Sequence, residues 1–509
     1  MKKSVKGIIG LSVLLAALGG GAAALLLTEP EGGDDSSSSL VSEPEKQVKL
    51  LIHDDKVTGT DPETGADLEG IVKSVAVKNG KDEYTVVQKA SQNPDEGVSY
   101  TIDGFQDVPL DTLVVGTLAN NANGLTSEDV IEENPTDLEK FGLAKPLITV
   151  DIEYETGTEY RMFIGNKAPV GDVTYVMIDG VDTVFTVRGS AVANYSNAVI
   201  DFVDSTILAT PETYPVVEKL TVSRKDTAED LVLEYDIAND DVENRGGTSS
   251  AHIMTNPTFA YLTVERATDI ITGMFGLVSQ DVYVVGCTES DIAEAGLKDP
   301  FCTVTMECDD GNEYKLLLSE YFDEDGGKNC YAMLEGGKVI YTLNEDNSKW
   351  LTVQPVDVAS RIFIASYVWN VTDLTLKCGG ESYDFDIEKI SEPGEGEKLT
   401  ASNFSAKLNG EKFDSERFRK FYSFLIKANG ESFALGEEIP EGEPMAVLEY
   451  TDGYLEKTMK FEFYEVSALQ ALVVADGESK FNISKSYVET MIENAENLKS
   501  DTEFKTTWK

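Results

Sequence analysis

One phrase of thirteen residues occurs twice in this chain. Residues 134–146 return as residues 288–300, at a constant offset of 154. The recurring positions are Asp137, Gly142, Leu143 and Pro146 in the first copy, and Asp291, Gly296, Leu297 and Pro300 in the second. Because a self-similar chain is built from copies of one unit, the repeat predicts tandem modules, and each residue must first be understood as part of its module.

The similarity extends beyond the phrase. Tyr175 and Gly180 recur two residues further on, as Tyr331 and Gly336. A third copy is degenerate, because its Gly-Leu phrase is reduced to Glu-Ile-Pro-Glu-Gly-Glu-Pro at residues 438–444. The predicted units are an N-terminal anchor at residues 1–28, an acidic tether rich in serine and glycine at 29–45, repeat modules at 46–212 and 213–365, and a degenerate repeat module at 366–509.

Each module begins with a hairpin and continues into a helix. In the first module, strands at 71–77 and 83–87 flank Asn79-Gly80, a strong hairpin signal. A helix is predicted at about 111–122, and a clearer one follows Asp414, where apolar residues at 418, 421, 422 and 425 have helical spacing. Strands of period two follow the phrase. The pattern predicts an α+β fold of tandem modules dominated by antiparallel β-hairpins with short helices, behind one N-terminal transmembrane helix.

The recurring phrase has a structural interpretation. Asp137 and Asp291 can cap a one-turn helix, the glycines can end it with positive φ, the leucines can enter the core, and the prolines can prevent the helix from continuing. A ligand-contact role is the alternative. We interpret Asp137, Gly142, Leu143, Pro146, Asp291, Gly296, Leu297 and Pro300 as a structural repeat motif.

The leader predicts a membrane anchor. Residues 7–28 are uncharged, and Lys2, Lys3 and Lys6 precede them. A run of this length can cross a bilayer as a helix, and the lysines predict a cytoplasmic N-terminus with the bulk of the chain outside the cell membrane. A cleavable signal peptide is the alternative, because small residues at 19–24 offer a cleavage site. The leucines at 25–27 prolong the apolar run and favour a retained single-pass anchor.

The net charge of −49, from 91 acidic against 42 basic residues, restricts the partners of this chain. Such an excess of negative charge repels phosphate backbones and anionic headgroups, so nucleic-acid binding is not expected. A solvated acidic surface is the simpler explanation, and a site for cations or for a basic partner is the alternative.

The residues that usually carry catalysis are scarce. The chain has two histidines, His53 and His252, at non-equivalent positions, and it has no nucleotide-binding or nucleophile-elbow motif. The five cysteines have no paired spacing, and Cys302 and Cys308 share one face of a strand, as buried apolar residues do. Residues 323–327 lack the acid spacing of a calcium loop. We predict no catalytic residue, metal site, cofactor or nucleotide.

Repeated aromatic positions predict packing rather than a platform for sugars. Tyr160 and Tyr175 recur as Tyr314 and Tyr331 on predicted strands, as core residues of a repeated unit would. Pairs of acidic residues are too abundant to indicate any one catalytic pair, so an acid-dependent hydrolase is the least favoured function.

The first module resembles a bacterial family called domain of unknown function 4340. The resemblance is carried by residues 130–146, by 160–165 and by 175–185, together with the leader and the tether. It is strong over 46–210, recognisable over 214–365 and weak over 366–509. The resemblance implies an extracytoplasmic accessory protein, often associated with ABC-2 type exporters, and it supplies no catalytic residue.

These observations predict a non-catalytic scaffold or accessory subunit of an ABC-type export complex. Its partners would be the membrane, through residues 7–28, and the proteins of the complex. A binding module for cell-wall glycan or for a secreted ligand is the alternative. Exposed aromatic side chains clustered on one sheet would favour glycan, and two facing carboxylates in a deep cleft would favour hydrolysis.

Overall fold

Three large antiparallel sheets follow one another along the part of the chain that the structure describes. The computed structural model describes residues 48–57, 70–89, 97–237, 250–324, 326–394 and 397–508. The antiparallel α+β architecture predicted from the alternating pattern is confirmed. Residues 7–28, the predicted anchor, lie outside the described residues. Among the residues described, no helix is long and apolar enough to span a bilayer.

The first sheet has eight strands within the described residues. The strands of the first module are β1 (Leu50–Ile52), β2 (Val72–Lys78), β3 (Glu83–Lys89), β4 (Ser99–Ile102), β5 (Leu125–Thr126), β6 (Asp129–Glu133), β7 (Ile148–Tyr154), β8 (Glu159–Lys167), β9 (Val173–Ile178) and β10 (Thr183–Arg188). Their order in the sheet is β4-β3-β2-β7-β8-β9-β10-β6, and β1 pairs separately with β5. The hairpin predicted around Asn79-Gly80 is therefore β2–β3.

The second and third sheets repeat this order. Strand β11 (Thr206–Leu208) precedes the second module and pairs with β16 (Leu277–Val278). The other strands of the second module are β12 (Val217–Arg224), β13 (Leu231–Tyr235), β14 (His252–Asn256), β15 (Ala260–Tyr261), β17 (Asp281–Val285), β18 (Cys302–Cys308), β19 (Glu313–Leu318), β20 (Phe322–Glu324), β21 (Gly327–Leu334) and β22 (Val339–Asn344). Those of the third are β23 (Val371–Cys378), β24 (Glu381–Lys389), β25 (Phe404–Leu408), β26 (Glu411–Phe413), β27 (Ser432–Phe433), β28 (Ala446–Asp452), β29 (Lys457–Glu465), β30 (Gln470–Ala475) and β31 (Glu478–Ser484). The orders are β15-β14-β13-β12-β18-β19-β21-β22-β17 and β26-β25-β24-β23-β28-β29-β30-β31-β27.

The described α-helices cover one face of each sheet or close a module. They are α1 (Thr112–Asn121), α2 (Gly189–Val192), α3 (Val264–Ile271), α4 (Glu289–Glu294), α5 (Pro355–Val358), α6 (Ser415–Leu425) and α7 (Lys485–Glu496). Helix α1 matches the helix predicted at about 111–122, and the Asp111 carboxylate accepts from the backbone N–H groups of Leu113 and Val114. Helix α6 begins after Asp414 and buries the four predicted apolar side chains.

One helix in each module, α1, α3 or α6, connects one edge of the sheet to the other, and we call it the crossing helix. Because α1 follows the edge strand β4, the next strand of the large sheet, β6, pairs at the opposite edge with β10. Strand β7 then returns to the middle of the sheet, beside β2. The core of each module lies between its sheet and this crossing helix.

An aromatic side chain near the end of each module bonds to the crossing helix. The Tyr195 hydroxyl donates to the Leu118 carbonyl at 3.3 Å, and Trp350 Nε1 donates to the Ile270 carbonyl at 2.9 Å. The Tyr487 hydroxyl donates to the Leu425 carbonyl at 2.9 Å. All three aromatic rings are buried. These aromatic closures satisfy helix carbonyls that have no partner within the helix.

Candidate functional site

The recurring phrase lies against the outer face of the sheet, opposite the crossing helix. Gly142 has φ 73° and Gly296 has φ 72°, so both adopt the left-handed conformation. Leu143 packs beside Phe141 and Val184 in one small cluster. Leu297 packs beside Met333 and Ile340 in the matching cluster of the second module. Each phrase therefore covers strands that would otherwise expose apolar side chains. Pro146 and Pro300 each lie two residues before the strand that follows the phrase.

The aspartates of the two copies act differently. The Asp137 carboxylate accepts from the backbone N–H of Glu139, which begins a one-turn 3₁₀ helix at Glu139–Phe141. In the second copy Thr288, and not Asp291, is the N-cap of α4. Asp291 is three residues further on, and its carboxylate accepts from the backbone N–H of Thr288 at 2.7 Å. The pair is a capping box, and the bonds that the Thr288 hydroxyl and the Thr288 backbone N–H donate to the Asp291 carboxylate lower its pKa.

The two histidines lie in different modules and bond locally. His53 Nδ1 lies 3.5 Å from the Tyr160 hydroxyl. His252 Nε2 lies 2.8 Å from the Val217 carbonyl. The structure does not bring the two imidazoles together, in agreement with their non-equivalent positions in the sequence.

The five cysteines are free thiols and all are buried. Burial raises the pKa of Cys302 and of Cys330 to about 12, and that of Cys308 and of Cys378 to about 11. A thiol with such a pKa stays protonated near neutral pH, whereas nucleophilic attack needs the thiolate. These side chains fill the core, as predicted for Cys302 and Cys308.

Groups of acidic residues do not form a metal centre in the described part of the chain. No set of three or more His, Cys, Asp or Glu side chains among the described residues is placed to hold a metal ion. The acidic turn at 323–327 connects β20 to β21, which pair with each other, and residue 325 lies outside the described residues.

The repeated tyrosines pack against other rings. Tyr175 contacts Phe141 edge to face, with ring centroids 4.9 Å apart. Tyr331 lies between Tyr283 and Phe322, with centroids 4.3 and 4.7 Å away and tilts of 34° and 37°. Because these ring faces are turned mainly toward one another, the cluster differs from a flat platform for sugars. Tyr283 is nevertheless 45% exposed at the end of the stack.

A groove of about 750 Å³ opens between the second and third modules. Its three walls are the β12–β13 turn of the second module, the β30–β31 turn of the third module, and residues 435–439 of the third module. Apolar side chains line part of the groove, among them Val222, Leu231, Val353, Leu435 and Ile439. Ligand sites often have this size and lie between domains. This cavity is the inter-module groove.

An ion pair at the first wall keeps a basic group buried. The Arg224 side chain is 4% exposed, and its guanidinium donates to both oxygens of Asp226 at 2.8 and 2.7 Å. A third bond, of 2.7 Å, goes to the Val353 carbonyl. Asp226 is about half exposed, and the bidentate contact lowers its pKa. The charge that solvent or a ligand can reach at this wall is therefore negative.

The second wall has the same arrangement. Lys480 Nζ bonds to Glu478 Oε2 at 2.5 Å and to the hydroxyl of Thr258, which also donates to Glu478. The Lys480 side chain is 6% exposed and that of Glu478 is 58% exposed. The Lys480 bond, followed by the Thr258 bond, lowers the pKa of Glu478. This network joins the second module to the third, because Thr258 precedes β15 and Lys480 lies on β31.

The third wall comes from residues 435–439, where the chain enters the degenerate phrase. Leu435, Gly436, Glu437 and Ile439 line the groove. The segment is held in place because the Ser479 hydroxyl donates to the Glu437 carbonyl at 2.7 Å, and the Ala434 N–H donates to the Lys480 carbonyl at 2.9 Å. Sequence reasoning did not find these residues, although the departure from the repeat had marked the region where they lie.

Comparison with family models finds a match within the first two modules. Residues 101–300 match the model of DUF4340, a domain of unknown function. This part of the chain is similar to the DUF4340 family. The resemblance stated from the sequence is thus confirmed, over a shorter range than expected. The match runs from β4 through the second copy of the phrase, so it includes both copies. Neither the curated proteins nor the solved structures contain a match to the chain.

Proposed function

We propose that this protein is a non-catalytic scaffold or accessory subunit of an ABC-type export complex. In this proposal residues 7–28 anchor the chain in the membrane, and the modules lie outside the cell. The observation that carries the proposal is the way the modules are joined. Val108 of the first module belongs to the core of the second, and Phe433 of the third packs against the cores of both the second and the third.

Shared cores suit a scaffold because they fix the modules relative to one another. Phe105 and Val285 each pack against the cores of the first and second modules. A rigid array can present several surfaces to one partner at once, and this raises the effective concentration of the later contacts. The buried thiols and the separated histidines support a role in binding rather than in catalysis.

Crosslinking in intact membranes, followed by identification of what is recovered, tests this proposal. We expect subunits of an ABC-type exporter to be recovered with the full chain. Protease added outside intact cells should digest everything after residue 45 and leave the N-terminal peptide in the membrane. A mature N-terminus after Ala24, found in the medium, would contradict the anchor. Loss of partner recovery in H53Q or H252Q with folding unchanged would contradict the non-catalytic interpretation.

A binding module for glycan is the second candidate, and Tyr283 is the observation that favours it. Tyr283 is 45% exposed on the outer face of the second sheet, beside Tyr331. If the ring stacks on a sugar, Y283A should weaken the binding of soluble cell-wall fragments about tenfold, whereas Y454A, at a site 46% exposed in the third module, should not. Equal binding by both variants would remove this candidate.

A further inference from the structure

We propose that the inter-module groove binds an extended, basic segment of a partner protein, in which lysine or arginine alternates with apolar residues. The proposal deepens the proposed function, on which it rests, by naming a surface of the scaffold and the chemistry of its partner. It is carried by the shape of the groove, its apolar lining and the sign of its accessible charge.

The basic groups around the groove are buried and the acidic groups are exposed. Both basic groups, Arg224 and Lys480, are almost entirely buried behind their own carboxylate partners. Asp226 and Glu478 are about half exposed in front of them, and each retains lone pairs beyond those its partner uses. An approaching segment therefore meets carboxylate oxygens, and a cationic side chain is their complement.

Two further carboxylates add to the negative potential. Glu229 on the β12–β13 turn and Glu437, just before the degenerate phrase, both line the groove and are exposed. With Asp226 and Glu478 they give four carboxylates against two buried cations, so the local balance is negative. The chain as a whole has a net charge of −49, which attracts a cationic partner from a distance.

The apolar lining explains why we infer alternation. Leu435 is partly exposed and Ile439 is 37% exposed, and both lie on the third wall. Pro257 and Pro355 line the groove from the second module. Side chains of an extended strand point in opposite directions, so one set can reach the carboxylates while the other covers these apolar groups. A small polyamine has no side chains that could cover them.

Peptide titration of the full chain in non-ionic detergent tests the proposal. The probe is a fluorescent octapeptide of alternating lysine and leucine, and its counterparts carry glutamate for lysine or serine for leucine. We expect the lysine–leucine peptide to bind, the glutamate–leucine peptide not to bind, and the affinity of the lysine–leucine peptide to fall as salt screens the carboxylates. Spermine that binds as tightly as the peptide would overturn the assignment of a protein segment.

Matched variants localise the binding. E229Q/E437Q should weaken lysine–leucine binding at least tenfold, whereas E441Q/E443Q, which removes the same charge from the same segment outside the groove, should change it less than twofold. Equal losses in both would show that only net charge matters and would overturn the proposal. I439S should weaken the lysine–leucine peptide about fivefold and leave the lysine–serine peptide unchanged. A loss for both peptides would overturn the apolar role.

The titration tests the groove alone, because it needs no exporter. If the peptide fails to bind while exporter subunits are still recovered by crosslinking, the groove assignment is wrong and the scaffold proposal stands. If the peptide binds with the expected dependence on Glu229 and Glu437 but no exporter is recovered, the groove assignment stands and the export partner is wrong.

Discussion

Strands β6 and β17 occupy the same place in the first and second sheets, but their side chains meet different surroundings. Val130 of β6 pairs with Phe185, and Val282 of β17 pairs with Tyr341, so the two strands have matching register. In the next positions β6 has Glu132 and Glu133, whereas β17 has Val284 and Val285. The backbone position is repeated, and its chemistry is not.

The difference between the two strands follows from what each strand contacts. Val285 packs against the first module as well as its own, whereas Glu132 and Glu133 are paired with Lys140 and Lys49. Apolar residues at a junction bury area between modules, and charged residues on a free edge discourage pairing with another chain. Two or three side chains therefore decide whether the same strand of the repeat forms a junction between modules or a free edge of the sheet.

Disrupting the junction at a buried residue should give the largest effect. Val108 is 9% exposed and lies in the core of the second module. V108D would bury a carboxylate there and should lower the free energy of unfolding by about 3 kcal/mol. In calorimetry the first and second modules should then unfold in separate transitions. V181D, in an exposed turn, is the control and should change stability by less than about 0.5 kcal/mol. A single unshifted transition in V108D would contradict the shared core.

Exchanging the residues of the two strands tests the comparison directly. V285E places on β17 the glutamate that β6 has at the equivalent position. It should lower the free energy of unfolding, measured with denaturant, by about 2 kcal/mol, because the carboxylate loses water at the junction. E133V makes the reverse change at an exposed edge. It should alter stability by less than about 0.5 kcal/mol, but increase self-association in sedimentation. Equal stability losses in the two variants would show that the strands have the same surroundings.

Substituting the residue that follows β17 or β6 should give the smallest effect on stability. Gly286 has φ 67° and Asn134 has φ 50°, so both backbones are left-handed. A Cβ at Gly286 would lie 3.1 Å from Cε1 of Phe105, which belongs to the first module. G286A should therefore cost about 1 kcal/mol, and N134A about half as much, when measured by thermal unfolding. A larger loss in N134A would mean that the contact with Phe105 does not constrain the junction.

The sequence predicted the repeated parts well because they depend on local patterns. Asn79-Gly80 specified a hairpin, and Asp111 and Asp414 specified helix starts, each through contacts between near neighbours. The assignment of Asp291 as a cap was wrong because Thr288, three residues earlier, completes a capping box. The sequence contains the capping-box pattern of Thr288 followed three residues later by Asp291. The prediction placed the cap at Asp291, one turn after its actual position.

The inter-module groove could not be predicted because distant residues build it. Thr258 and Lys480 bond to each other across 222 positions of sequence, and no period links them. The Arg224 and Asp226 pair is local, but nothing in its sequence shows that Val353 lies beside it. The loss of the Gly-Leu phrase shows where the third module departs from the repeat. It does not show that this segment forms a wall of a groove.

The aromatic closures set an order in which a growing chain can acquire structure. The hydrogen bonds from Tyr195, Trp350 and Tyr487 join residues 77, 80 and 62 positions apart. A crossing helix is made long before the ring that fixes it, so each module must wait for its last segment to emerge. Synthesis from the N-terminus therefore completes the modules one after another, and a chain stopped before Tyr195 would expose the face of α1 that the closed module covers.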